Sequence, residues 1–262
     1  MIINPKQNNG YLIVASKRKS FYLFAINLIE SILDYHPKAK ITLFTEERFV
    51  DHRVKVCDQV IYCDDHYRAK LWGMTRSPYD LTFYMDADME CQHEDIANVF
   101  DCIGDEDIVF TGIDSTNDKV FVYRYFTEQA EREKNEVNTF KYNGGVCLYD
   151  NSKLLVKNFM QDWQLKYYLQ YQTCDWWPLK ENGEKDFDQY PRKLHVWDQF
   201  TLWWLTTHDP KYKELNVGLF DDHLRWNYYV NYEQNNIIST KPPVLSHYSS
   251  SAPKNDLIVA MG

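Results

Sequence analysis

An alternation of short apolar runs with helical patterns is the feature that most restricts how this 262-residue chain can fold. Between the apolar runs at 11–16 and 41–45, residues 20–36 place apolar side chains at i, i+3 and i+4, which predicts an amphipathic helix. A shorter helix is predicted at 68–74. Strands that are apolar on both faces need helices on both sides, so the pattern predicts an α/β fold with a mostly parallel central sheet. The strand-length runs occupy 11–16, 41–45, 59–63 and 81–85.

The rest of the chain continues with further strands and helices in a less regular order. A polar segment at 175–197 interrupts them, and a loop of this length in a compact domain is usually functional or mobile. No internal repeat or linker divides the sequence, so we expect a single domain over residues 1–262. The predicted helices are 127–138, 152–171 and 198–207, and the predicted extended segments are 108–111, 217–220, 224–229 and 244–248. Residues 142–149, which include two consecutive glycines, are predicted to form a turn that enters a strand.

Composition excludes several classes of function. The 29 basic and 38 acidic residues give a net charge of −9 without a basic cluster, which argues against nucleic-acid binding. No apolar run reaches the roughly 18 residues of a transmembrane segment, and no signal peptide is evident, so a cytoplasmic protein is expected. The six cysteines form no C-x-x-C pair, which predicts reduced thiols. The sequence specifies no oligomeric state.

The strand predicted at 81–85 ends in Asp86-Ala87-Asp88. Residues two apart on an extended segment point to the same side, and ligands of open α/β sheets bind beyond the carboxyl ends of the strands. Two adjacent carboxylates suit Mg²⁺ or Mn²⁺, although a solvated turn can carry the same pattern. Since the chain has no G-x-G-x-x-G or Walker sequence, a metal ion could replace the missing phosphate-binding loop.

Three further motifs are ambiguous when each is taken alone. The consecutive glycines in Asn143-Gly144-Gly145 permit positive φ or a close approach to a ligand, but they also occur in ordinary turns. Asp198 begins a predicted helix, where it could serve simply as the N-cap. His247 ends the last predicted strand, and a single histidine is more often a packed or surface residue than a ligand.

Together these motifs resemble the glycogenin-like and galactosyltransferase-like sugar transferases of the GT-A fold. The resemblance covers most of the chain, and the order of the motifs is more specific than any one of them. It implies a Rossmann-like GT-A fold with a nucleotide-binding half at about 1–110 and an acceptor and catalytic half at about 140–262. The motifs are Asp86-Ala-Asp88, Asn143-Gly-Gly-Val146, Trp197-Asp198-Gln199, and His247 followed by Lys254.

The resemblance also implies a role for each matching residue. Asp86 and Asp88 would hold Mn²⁺ or Mg²⁺ with His247 as the third ligand, and Asp86 would also contact the ribose. Lys254 would contact the donor diphosphate, and Lys70 the donor sugar or phosphate. The base would be cradled by Val14, Ala15 and Ser16, and the transferred sugar would be surrounded by Asn143, Gly144, Asp198 and Gln199.

The implied reaction moves a hexose from a nucleoside-diphosphate sugar, such as UDP-glucose or UDP-galactose, to a hydroxyl of a glycan, lipid or protein. Breaking that bond leaves negative charge on the departing phosphate, which a metal ion and a lysine would stabilise. The resemblance favours retention of configuration, with Asp198 or Gln199 stabilising the cationic carbon. An inverting reaction would instead need Asp198 as the base that activates the acceptor.

Two other classes of protein share parts of this pattern. Haloacid-dehalogenase-like phosphatases also place Asp-x-Asp after an apolar strand, but usually on the first strand of the chain, whereas three strands are predicted before it here. A nucleotidyltransferase would need a glycine-rich loop that is missing near the amino terminus. A catalytically inactive sugar-binding protein is the remaining alternative, although it would not need three metal ligands and a lysine together.

Overall fold

The structure, a computed structural model, describes residues 8–64, 68–112, 142–172, 198–230 and 241–248. Within these residues the main sheet has seven strands. Their spatial order is β3 (Gln59–Tyr62), β2 (Ile41–Thr45), β1 (Asn9–Ala15), β4 (Leu81–Asp86), β7 (Tyr142–Asp150), β6 (Ile108–Gly112) and β8 (Val217–Leu219). Only β7 runs opposite to the others, being antiparallel to both β4 and β6. The predicted mostly parallel sheet is therefore confirmed.

Helices cover both faces of this sheet. One core lies on the side of α1 (Lys19–Tyr35) and contains Phe83 of β4. The other core contains the next residue of that strand, Tyr84, together with Trp163. Successive side chains of a strand point to opposite faces, so fully buried strands such as β4 supply both cores. The remaining helices are α2 (Ala69–Met74), α3 (Leu154–Gln172), α4 (Asp198–Thr207) and the short α5 (His223–Trp226).

A second, three-stranded sheet lies directly after the acidic turn of β4. It consists of β5 (Met89–Cys91), β10 (Leu245–His247) and β9 (Tyr228–Tyr229), with β10 in the middle. β10 is antiparallel to β5 and parallel to β9. This pairing fixes the far carboxyl-terminal strand beside residues 86–88.

The structure corrects two local predictions. Residues His223–Trp226 form a helical turn, so the extended segment predicted at 224–229 is wrong except at Tyr228–Tyr229. The glycines predicted to form a turn before β7 lie inside this strand. β5 was not predicted at all, because three residues are too short for a periodic pattern.

Several predictions fall outside the described residues, including the helix at 127–138, the long segment at 175–197 and Lys254. The division into two functional halves stays a prediction. None of the helices in the described ranges is long and apolar enough to cross a membrane.

Candidate active site

The carboxyl ends of β1 and β4 open into one cleft. The strands are parallel neighbours whose register pairs Val14 with Asp86. Ligands of open α/β sheets bind at this edge. The side chain of Ala15 packs into the core on the opposite face of the sheet, so its backbone is the part nearest the cleft. The cleft has a volume of about 230 Å³, and its lining includes Val14, Ser16, Lys70, Asp86 and Asp88.

The end of the cleft at β1 is shaped by the buried carboxylate of Glu46. Its Oε1 atom accepts hydrogen bonds from Ser16 Oγ at 2.8 Å and from the backbone N–H of Lys17 at 2.5 Å. Lys17 has a φ of 80°, a conformation that residues other than glycine rarely adopt. Arg48 pairs with the other oxygen of Glu46 at 2.6 Å. This network fixes the turn where the resemblance places the nucleoside base.

Asp86, Asp88 and His247 form the acidic and imidazole cluster that the resemblance implies. One ligand atom from each residue lies within 4.8 Å of the others, and Nε2 of His247 is 3.2 Å from Oδ1 of Asp88. The cluster exists because β10 pairs with β5 in the register that puts His247 opposite Met89. In addition, the backbone N–H of Tyr248 donates to the carbonyl of Asp88 at 2.8 Å. Two carboxylates and one imidazole are a donor set that fits Mn²⁺ or Mg²⁺.

The carboxylate of Asp86 is held in place by two neighbours. Tyr84, two residues earlier on the same face of β4, donates its hydroxyl to Oδ1 of Asp86 at 2.5 Å. Burial raises the pKa of Tyr84 well above its ordinary value, so its hydroxyl keeps its proton and remains a donor. Lys70 Nζ lies 3.4 Å from the same oxygen. The first predicted metal ligand is therefore oriented by the protein itself.

The tandem glycines allow β7 to approach these side chains closely. A Cβ atom on Gly145 would lie 2.9 Å from Oδ2 of Asp86, and one on Gly144 would lie 3.0 Å from the ring of Trp163. The carbonyl of Gly144 also accepts a hydrogen bond from Lys70 at 3.3 Å. Gly144 and Gly145 therefore form no ordinary turn and have no positive φ, and they allow close approach to side chains of the site. Close approach to a ligand stays a prediction.

Lys70 joins the predicted metal ligands to Asp198. Its Nζ atom lies 2.8 Å from Oδ2 of Asp198, while Arg68 Nε lies 3.1 Å from Oδ1 of the same carboxylate. Asp198 is buried at the first residue of α4, and Trp163 Nε1 donates to its backbone carbonyl at 2.7 Å. Asp198, which could have served simply as a helix N-cap, is therefore part of a buried ion-pair network.

In the ion pair of Lys70 and Asp198, charge interactions together have a larger effect on both pKa values than burial has. Burial alone would raise the pKa of Asp198, but Lys70 and then Arg68 lower it to about 2. Burial would lower the pKa of Lys70, but Asp198 and then Asp86 raise it. Both groups are therefore charged at neutral pH, and Asp198 has little affinity for a proton.

The remaining predicted residues lie close to this network. Asn143 accepts a hydrogen bond from the N–H of Gly145 at 2.7 Å and donates through Nδ2 to the hydroxyl of Tyr229 at 3.1 Å. Gln199 follows Asp198 in α4 and is partly exposed. The described residues of all four motifs therefore come together at one edge of the sheet.

The residues that contact the site and that sequence reasoning missed include Arg68, Tyr84, Asn227 and Tyr229. The ring of Tyr229 stacks on His247 with centroids 4.5 Å apart and an interplanar angle of 25°. Burial raises the pKa of Tyr229 to about 12. Only Tyr84 had a sequence signal, because it alternates with Asp86 along the same strand.

The seven-stranded sheet flanked by helices matches the fold of solved GT-A glycosyltransferases, as the sequence resemblance predicted. No protein-family model matches the chain, and no curated protein matches it in sequence.

Solved glycosyltransferases share the fold over nearly the whole chain. The galactosyltransferase LgtC, solved with donor and acceptor sugar analogues, is similar with a TM-score of 0.56 and 12% identity over 95% of this chain and 94% of LgtC. The bifunctional glycosyltransferase WbbM is similar with a TM-score of 0.60 and 11% identity, and this chain spans 51% of the length of WbbM. Mouse xyloside xylosyltransferase 1 is similar with a TM-score of 0.53 and 12% identity, over 94% of this chain and 99% of the xylosyltransferase.

Proposed function

We propose that this protein is a metal-dependent glycosyltransferase that moves a hexose from a nucleoside-diphosphate sugar to a hydroxyl acceptor. The observation that carries the proposal is the position of Asp86, Asp88 and His247 beside the cleft at the carboxyl ends of β1 and β4. The solved proteins that share this fold are named as glycosyltransferases, which supports the same class of reaction.

The donor is proposed to lie along the cleft. Its base, uracil by resemblance to the family, would lie against the end of β1 at Val14, Ala15 and Ser16. Its diphosphate would lie at the cluster of Asp86, Asp88 and His247, which would hold Mn²⁺ or Mg²⁺. The amino-terminal half, about 1–110, would bind the nucleotide, and about 140–262 would bind the acceptor.

The chain's own residues have separate tasks in this proposal. A divalent cation, when bound, supplies positive charge where the diphosphate leaves with negative charge. Lys70, buried and protonated, adds a fixed positive charge close to Asp86. Lys254 is proposed to contact the diphosphate, and Asn143 and Gly144 to surround the sugar. The acceptor is a hydroxyl of a glycan, a lipid or a protein.

We further propose transfer with retention of configuration. A general base works best with a pKa near the working pH, whereas the pKa of Asp198 is held at about 2 by Lys70 and Arg68. This speaks against Asp198 as the base of an inverting reaction. Asp198 and Gln199 are instead proposed to stabilise the positive charge that develops on the anomeric carbon.

The test is a panel of nucleotide sugars incubated with Mn²⁺, Mg²⁺ or a chelator, with release of the nucleoside diphosphate as the readout. We expect release from at least one UDP-sugar only when metal is present, and the anomeric proton of the product, followed by NMR, should show retention. Metal-dependent binding without any turnover would favour the inactive sugar-binding alternative. If no nucleotide sugar bound or reacted, the proposed function would be wrong.

The phosphatase alternative finds no support in the fold. Its pattern belongs to the first strand of the chain, whereas Asp86 ends β4, after three earlier strands of the sheet.

A further inference from the structure

The second ring nitrogen of His247 is bound by a buried amide. Nδ1 of His247 lies 2.8 Å from Oδ1 of Asn227, a residue that is only 5% exposed. The amide nitrogen of Asn227 donates to Oγ1 of Thr111 at 3.3 Å, which is consistent with the oxygen facing the histidine. An amide oxygen only accepts hydrogen bonds, so in this arrangement Nδ1 of His247 carries the proton.

This hydrogen bond determines which nitrogen can bind a cation. A neutral imidazole that is protonated on Nδ1 has its lone pair on Nε2. Nε2 is the atom that lies 3.2 Å from Oδ1 of Asp88, within the cluster described above. Histidines that bind metals usually donate their other N–H group to an oxygen acceptor, which orients the ring.

We infer that Asn227 is a positioning residue for His247. It holds the imidazole in the Nδ1–H form and directs the lone pair of Nε2 towards Asp86 and Asp88. The stacked ring of Tyr229 limits tilting of the imidazole plane, while Asn227 fixes its rotation within that plane. The inference rests on the proposed metal-dependent function, and it assigns Asn227 a role that acts through His247.

The opposite orientation of the amide makes the inference falsifiable. If the NH₂ group of Asn227 faced His247, it would donate to Nδ1, and the proton would move to Nε2. His247 would then form an ordinary hydrogen bond to Asp88 and would have no lone pair for a cation. The two arrangements differ in the position of one proton, which can be measured directly.

The first experiment determines the tautomer of His247 by long-range ¹H–¹⁵N correlations of the imidazole in metal-free Asp88→Ala protein at a pH where the ring is neutral. This background is used because the carboxylate of Asp88, 3.2 Å from Nε2, would itself favour a proton on that nitrogen in the absence of a cation. The eight histidines are separated by comparison with a His247→Gln variant. With Asn227 intact or with Asn227→Asp added, we expect His247 to be protonated on Nδ1, and with Asn227→Leu added we expect a mixture of tautomers. Predominant protonation of Nε2 with Asn227 intact would overturn the inference.

The second experiment measures Mn²⁺ affinity in the presence of UDP by electron paramagnetic resonance of the free ion. Asn227→Leu is expected to bind Mn²⁺ about 10- to 100-fold more weakly, because it lacks the acceptor, and Asn227→Asp should restore affinity. Asn216→Leu is the matched control, since Asn216 contacts the backbone of Asp105 and the carboxylate of Asp107, away from the site. Binding of UDP without metal should be equal in all variants.

The results distinguish an error in the role inferred for Asn227 from an error in the proposed metal-dependent function. If the wild type binds neither Mn²⁺ nor Mg²⁺, the metal site itself is wrong, and the inference falls with it. If the wild type binds Mn²⁺ and Asn227→Leu binds it equally well, only the inference is wrong. Should Asn227→Leu fail to fold, the tautomer of His247 in Asp88→Ala with Asn227 intact decides the question.

Discussion

The ammonium group of Lys70 lies 2.8 Å from the carboxylate of Asp198, and both side chains are largely buried. Lys70 comes from α2, which precedes β4, whereas Asp198 begins α4 in the second half of the chain. Since Lys70 also lies 3.4 Å from Asp86, the ion pair links the predicted metal ligands to the residues proposed to surround the sugar. Lys70 therefore contacts both regions directly.

Replacing Lys70 by methionine should strongly destabilise the fold. The change removes the more buried of the two cations that pair with Asp198 and leaves only Arg68, 3.1 Å away, at a cost of up to about 3–5 kcal/mol. Lys153→Met is the control, because Lys153 pairs with Asp107 at the surface, where such pairs contribute at most about 1 kcal/mol. Urea denaturation of the two variants measures the difference, and equal losses of stability would contradict a buried, charged pair.

The stabilising effect of Asp198 should depend on pH in the acid range. Its pKa is lowered to about 2 in the folded protein, against about 3.9 for an unperturbed aspartate. The ionised carboxylate therefore contributes stability above pH 4, and this contribution is lost as the pH falls towards 2. We expect the stability difference between the wild type and Asp198→Asn to shrink between pH 5 and pH 3. A constant difference over that range, measured by denaturation, would show that the pKa is not lowered.

A methyl group at Gly145 should weaken metal binding. The added Cβ of Gly145→Ala would lie 2.9 Å from Oδ2 of Asp86 and displace this carboxylate. We expect at least a tenfold loss of Mn²⁺ affinity in the presence of UDP, together with an overpacking cost of about 1–3 kcal/mol.

The matched control for Gly145→Ala is Gly104→Ala. Gly104 has a φ of 52° and no atom within 4 Å of an added Cβ, so alanine there strains the backbone without touching the site. This control should cost about 1–3 kcal/mol of stability through backbone strain and leave Mn²⁺ affinity unchanged. Equal metal affinity in the two variants would mean that the close approach of β7 to Asp86 is irrelevant to metal binding.

Asp88→Ala should abolish turnover and remove the metal-dependent part of UDP binding. The carboxylate is one of the three predicted ligand groups, and without it Asp86 and His247 alone would hold a hard cation poorly. Calorimetric titration of UDP with Mn²⁺ and with chelator separates the two parts, and the metal-free affinity should match that of the wild type. Unchanged affinity in the presence of Mn²⁺ would exclude Asp88 as a ligand.

Gln199→Ala should lower kcat more than it weakens donor binding. Gln199 is proposed to act on charge that develops only in the transition state, and such an interaction affects the rate rather than the ground-state affinity. Steady-state kinetics and donor titration of the same variant provide both values. A loss confined to donor affinity would assign Gln199 to binding alone.

The sequence was sufficient for the fold and for the residue types of the site, but not for their connections. The alternation of apolar runs predicted the sheet, and Asp86 and Asp88 followed from strand geometry. His247 required the family resemblance, because its neighbour in the sheet is a three-residue strand with no periodic signal. The hydrogen bond from His247 to Asn227 could not be predicted, since it depends on a helical turn and a two-residue strand.

The pKa values of the charged residues in the site could not be predicted from the sequence, for a related reason. Asp198 could be identified as a helix start, but its low pKa depends on Lys70 and Arg68, which come from a distant part of the chain. Alternation along β1 could have shown that Ala15 faces away from Val14, yet which face meets the cleft depends on how the helices pack.

The pairing of β10 with β5 has a consequence for the order in which the protein becomes active. During synthesis, Asp86 and Asp88 leave the ribosome long before position 247 is translated. The small sheet that places His247 beside them can close only after that point. A nascent chain therefore lacks the complete set of predicted metal ligands until position 247 has been translated. Binding of a cation and a nucleotide sugar would then stabilise only chains in which β10 has already paired with β5.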